Sequence, residues 1–123
     1  MFKRWFKRLS VDDAQLRAES IRAWAQTVDG AVSIAETPFR EVVRVAGVVE
    51  NIRVRPREGA AAFEAEMSDG TGTVTAVWLG RRTIQGVSLG SRLVIQGRLG
   101  GTPGHRQMMN PSFEFSARDD AEH

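Results

Sequence analysis

Apolar residues recur along this chain with two different periods, and the change of period divides it. In "MFKRWFKRLS" (1–10), Phe2, Trp5, Phe6 and Leu9 fall at i, i+3, i+4 and i+7, one apolar stripe if the segment is helical. Ser10 followed by Asp13 fits an N-cap with an acidic residue at N3, which predicts a helix starting at Val11. Ile21, Trp24, Ala25 and Val28 supply its apolar face, and Asp29-Gly30 is its natural stop. From Phe39 to Phe115 the period becomes two. "FREVVRVAGVVENIRVR" reads as one long β-branched strand, with Gly47 marking a bulge or sharp bend inside it. "AAFEAEM" alternates cleanly and puts Phe63, Ala65 and Met67 on one face. The Asp69-Gly70-Thr71-Gly72 turn leads into "TVTAVWL", so these two strands form a hairpin. "GRRTIQGVSLG" is too short for a full helix, and a helical turn between glycines fits it. "SRLVIQGRLG" and "RQMMNPSFEF" make strands four and five around the loose "GGTPG", and Phe113 and Phe115 are expected to pack the interior.

Four parts follow: a basic and aromatic arm over 1–10, a helix over 11–30, a β region over 39–115, and a frayed polar tail over 116–123. Five strands, the first long and interrupted by glycine, with a short helical connection between the third and fourth, are the order of an OB-fold barrel. The predicted class is mainly β, a five-stranded OB-fold barrel with an N-terminal α-helix.

Composition narrows the function. The 123 residues suit one domain and contain no cysteine, which excludes disulfides, thiolate metal sites and cysteine nucleophiles. Two histidines, His105 and His123, make no histidine metal cluster. The formal charge is +2, and arginine supplies 15 of the 17 positive residues, a bias that suits phosphate contacts and base stacking. No apolar run approaches the roughly 18 residues of a membrane span. The N-terminus lacks the secretory apolar segment of about 7–15 residues, so a cytoplasmic protein with no transmembrane segment is expected.

"VVRVAGVVENIRVRP", "SDGTGTVTAVWLGRRTIQGVSLGSRLVIQGRL" and "NPSFEF" together resemble a small OB-fold nucleic-acid-binding family of actinobacteria. More remotely they are similar to the OB wedge domain of RecG-type branch-migration helicases and to OB-type anticodon-binding domains of tRNA synthetases. The resemblance covers about residues 40–115. It implies a nucleic-acid ligand, whether single-stranded or branched DNA, or RNA. The helicase motor and its nucleotide-binding loops have no counterpart in this sequence.

OB-folds bind with the outer face of strands 1–3 and the flanking 1–2 and 4–5 loops. The candidate binding residues are therefore the ladder Arg53, Arg55 and Arg57, then Arg81 and Arg82 after strand 3, and His105 and Arg106 closing the 4–5 loop. Such a set would neutralise several phosphates and make binding depend on salt. An ordinary sheet face explains part of it as well. In a hairpin closing around Glu58, Arg53 lies near Glu64 as a cross-strand ion pair, leaving Arg55 and Arg57 the freer members. Trp78 is either a base-stacking platform or core, depending on whether Val74, Ala76 and Trp78 or Thr75, Val77 and Leu79 face inward.

Catalysis has little support. Glu64 and Glu66 read as a solvated strand face, and Asp69 as a turn residue bonding its own backbone. "GGTPGHR" has no phosphate-loop lysine and enters no helix. Neither a cofactor nor a metal is implied. The expected function is a non-enzymatic OB-fold protein binding nucleic acid mainly through phosphates. The alternative is an adaptor whose barrel, arm and N-terminal helix bind protein or a membrane surface, since basic residues mixed with Phe and Trp also suit an interfacial helix.

Overall fold

A run of valines interrupted once by glycine makes the strand that organises the fold. The computed structural model describes residues 2–116, with side chains from Asp13 onward. Strand β1 (Val42–Arg57) is long enough to serve two neighbours. Its first half, Val42 to Val48, pairs antiparallel with β4 (Arg92–Thr102). Its second half, Val48 to Arg57, pairs with β2 (Ala60–Ser68). Gly47 sits at the changeover, where a Cβ would lie 3.1 Å from the Ser68 carbonyl oxygen. The bulge itself falls three residues later, between Val49 and Asn51, rather than at Gly47.

β2 turns through Asp69–Gly72 into β3 (Thr73–Leu79), as the hairpin signal predicts. Phe63 pairs with Trp78, Ala65 with Ala76 and Met67 with Val74, so the apolar positions of both strands share one face. Of the two possible faces of β3, the one carrying Val74, Ala76 and Trp78 points inward. β5 (His105–Met109) runs parallel to β3 and antiparallel to β4, which closes a ring in the order β1, β2, β3, β5, β4 and back to β1. This is the OB-fold barrel. Its interior is filled by Val45, Val49, Phe63, Met67, Leu93, Ile95, Leu99 and Met108 with the inward face of β3.

The expected fifth strand is two pieces. Asn110 takes a left-handed backbone at φ 47° and Pro111 has no N–H to give, so pairing lapses before β6 (Ser112–Phe115) resumes it on β4. The indole N–H of Trp78 donates to the Pro111 carbonyl at 3.0 Å, which satisfies the polar end of a buried ring. Phe113 packs edge-on against Trp78 and Phe115 edge-on against Phe113, but both remain partly exposed and flank the interior instead of filling it. The β3–β4 connection is also different from the expectation. It contains two turns, closed by the Val87 N–H to the Ile84 carbonyl and by the Ser91 N–H to the Ser88 carbonyl, and no helical turn, since Gly86 at φ 86° and Gly90 at φ 91° leave the helical region. Ile84 and Val87 drop into the barrel as a plug.

Helix α1 spans Phe2–Ala25, so it begins well before Val11 and Ser10 lies inside it. No glycine or proline occurs before Gly30, and a capping signature without a preceding breaker does not start a new helix. The chain leaves the helix just after Ala25, four residues before the predicted Asp29-Gly30 stop, where Thr27 caps the Trp24 carbonyl with both its N–H and its hydroxyl. Ile21, Trp24 and Ala25 are buried, and Trp24 and Ala25 form a second cluster with Ala46 and Val94 on the outside of β1 and β4. The side chains of Phe2, Trp5, Phe6 and Leu9, and the polar tail from residue 117, lie outside the described residues.

Between helix and barrel, a 3-10 turn over Ile34–Glu36 is tied to the β2–β3 turn. Asp69 accepts from the Thr71 and Gly72 amides, the local bonding expected of a turn aspartate, and with its other oxygen from the Ile34 amide at 2.9 Å.

Candidate nucleic-acid interface

Because the inward positions of β1 to β3 are apolar, their alternate positions form a polar outer face. On β1 these are Asn51, Arg53, Arg55 and Arg57, and on β2 Glu64 and Glu66. Thr75 adds to them from β3, and His105 from the start of β5. Together they line a small cleft of about 70 Å³. Register alignment is as the hairpin argument requires, with Arg53 opposite Glu64 and Asn51 opposite Glu66.

The ion pairing is not. Glu64 is held by Arg55, Nε to Oε1 at 3.5 Å, and by Arg57, Nε to Oε2 at 3.2 Å. A long arginine side chain leans along its strand, so residues two and four positions away reach Glu64 where its direct cross-strand neighbour does not. Arg53 is exposed and has no ion-pair or hydrogen-bond partner among the described residues, which makes it the freer member of the ladder. Glu64 is also not solvated: 7% of its side chain is exposed. Its Oε2 lies close to Arg57, yet no donor aims a hydrogen at it, so that contact is a charge pair and not a directed hydrogen bond. Arg57 continues across the face. Its Nη2 donates to Gln107 Oε1 at 3.4 Å and its Nη1 to the Met109 sulfur at 3.6 Å, both on β5.

The other predicted residues divide. His105 is exposed on the cleft rim. Arg82 is exposed and shares a shallow depression with Arg55, Val54 and Pro56 beside the β1–β2 turn. Arg81 is exposed but lines neither depression. Arg106 is turned away and committed. It donates to the Thr37 hydroxyl, the Ala35 carbonyl and the Pro103 carbonyl, and lies 5.2 Å from the centre of the Phe39 ring. Its task is to fasten the segment preceding the barrel to the β4–β5 hairpin. Trp78, buried in the core, offers no face to a base.

Three residues of the face escape sequence reasoning. Asn51 stands two positions before Arg53, and the period of two would have found it. Thr75 follows once Trp78 is known to face inward. Gln107 carried no signal, because the parity of β5 depends on the break at Asn110-Pro111.

Among the described residues no group of three or more His, Cys, Asp or Glu side chains is placed to hold a metal ion. No helix among the described residues is long and apolar enough to cross a membrane.

A closed five-strand ring in this order, with its first strand shared between two neighbours, defines an OB-fold domain. Residues 43–115 match the tRNA anti-codon family, described as an OB-fold nucleic acid binding domain. That is more than half of the chain, and the chain belongs to this family. The comparison with curated proteins finds no significant match. Among solved structures, the chain is similar to a chain of the replication protein A heterotrimer bound to ssDNA. The identity is 14% and the TM-score 0.48, over 78% of this chain and 75% of that one.

Proposed function

We propose that this domain binds single-stranded or locally unpaired nucleic acid across the outer face of β1 to β3, mainly by its phosphates and without chemistry on the ligand. The observation that carries the reading is the ladder of three arginines on one side of the cleft, in a family described as nucleic-acid-binding. Arg53 and Arg55 meet the backbone, with Arg82 extending the cationic track past the β1–β2 turn and His105 closing the other side. Guanidinium groups match phosphate oxygens two at a time, and each contact displaces condensed counterions. Buried Glu64 offsets part of the field of Arg55 and Arg57, so the grip is modest and salt-sensitive. Phosphate contacts carry no base code, and binding is therefore tolerant of sequence.

The test is titration of the intact chain, at several salt concentrations, against a labelled single strand, a duplex and a branched junction of equal length. The reading expects binding to the single strand and to the junction's unpaired regions, weakening steadily with salt, and weaker binding to uninterrupted duplex. No binding to any of the three at low salt would overturn it.

A further inference from the structure

We propose that the guanidinium of Arg57 is the surface on which a base stacks in this cleft, an inference that rests on the nucleic-acid reading above. Single-strand binders combine cationic grooves with flat side chains for the bases. The aromatic rings of the β2–β3 hairpin, Phe63 and Trp78, are both buried in the core, and no Phe or Trp side chain lines the cleft, whose one ring is the exposed imidazole of His105 at the rim. Of the three guanidiniums that line the cleft, that of Arg57 is the one whose described hydrogen bonds reach across to β5. Two of its nitrogens are hydrogen-bonded at the edge, Nη2 to Gln107 at 3.4 Å and Nη1 to the Met109 sulfur at 3.6 Å, while Nε has the charge contact to Glu64 at 3.2 Å.

Hydrogen-bond acceptors of a guanidinium lie near its own plane, so the bonds to Gln107 and Met109 leave its faces as what a ligand can meet. The partners come from β2 and β5, which holds the group across the sheet and lowers the entropy lost when a base settles on it. The side chain is 29% exposed, against 51% for Arg55, as expected of a fixed group in the floor beside a freer one. Nucleobases stack on arginine planes as they do on aromatic rings. Arg57 therefore serves the base while Arg53 and Arg55, earlier on the same strand, serve the phosphates beside it.

The experiment compares a thymine-bearing single strand with an abasic strand of the same length and charge. The wild-type chain should prefer the base-bearing strand by about tenfold. Arg57→Lys keeps the charge and loses the plane, so that preference should vanish while the salt dependence stays. Arg57→Tyr replaces the plane without the charge, in a residue strands favour. It should keep the preference and bind with a shallower salt dependence. Thermal melts establish that each variant is folded. Equal wild-type affinity for the two strands, or a preference unchanged in Arg57→Lys, would overturn the inference while leaving phosphate binding intact. Wild-type binding to neither strand would instead remove the reading beneath it.

Discussion

Glu64 is the residue that gives this cleft its character. A buried carboxylate is costly unless cations compensate it, and Arg55 and Arg57 do so here from the neighbouring strand. That arrangement makes Arg57 partly structural, since removing it takes away the nearer of the two charges facing Glu64. The expectation that Arg55 and Arg57 stand free while Arg53 is paired is thus reversed, and Arg53 is the better probe of ligand contact. Trp78 belongs wholly to the fold. Trp78→Ala removes a ring that fills the barrel, its tilted contact with Phe63 and its bond to the Pro111 carbonyl. A loss of roughly 3–5 kcal/mol in unfolding free energy is expected, measured by denaturant titration. A stable variant with a large binding defect would place the ring on the ligand side after all.

At the scale of elements, α1 is two things in one helix. Its last turns pack on the barrel through Ile21, Trp24 and Ala25, whereas residues 13 to 20 are exposed throughout. Deleting residues 1–12 should leave the melting temperature of the barrel within a few degrees of the full chain, because the described packing begins beyond the deletion. Trp24→Ala should lower it clearly, since the indole is buried between helix and sheet with the Arg92 guanidinium 4.9 Å from its ring centre. A large loss of stability on deletion would mean that the arm packs on the barrel. Local pattern predicts elements well here and joints poorly. The β2–β3 hairpin was legible from Asp-Gly-Thr-Gly and strict alternation. So was half of Asp69, whose turn bonds are local, while its bond to Ile34 spans 35 residues and left no trace in the pattern. The start of α1 was misread because Ser10 has the composition of a cap without a break before it. The β3–β4 segment makes turns that are not helical because Gly86 and Gly90 both take positive φ, a choice of backbone that the glycines permit but do not announce.

For the whole molecule, five strands with an interior glycine in the first sufficed to anticipate the closed ring, because few topologies bury such a set. The face was legible as a row of arginines, but which ones a ligand can reach depends on diagonal contacts and on the β5 register, and neither is local. What the barrel achieves is a separation of duties. Across β2, β3 and the second half of β1, one side of the strand packs the interior, which leaves the other to present charge at fixed spacing. Arg106 and Trp78, both plausible ligand residues in one dimension, are consumed in holding that platform together. The central claim is that exposed arginines on this platform grip phosphates. The most direct measurement is the slope of log affinity against log salt for a single strand, in the wild type and in an Arg53→Ala/Arg55→Ala double variant. Arg57 still faces Glu64 in that variant, so the fold is retained. Two lost contacts at about 0.7 each predict a slope shallower by roughly 1.4, with the same proportional loss for every base sequence. A folded double variant with the wild-type slope and affinity would contradict the account.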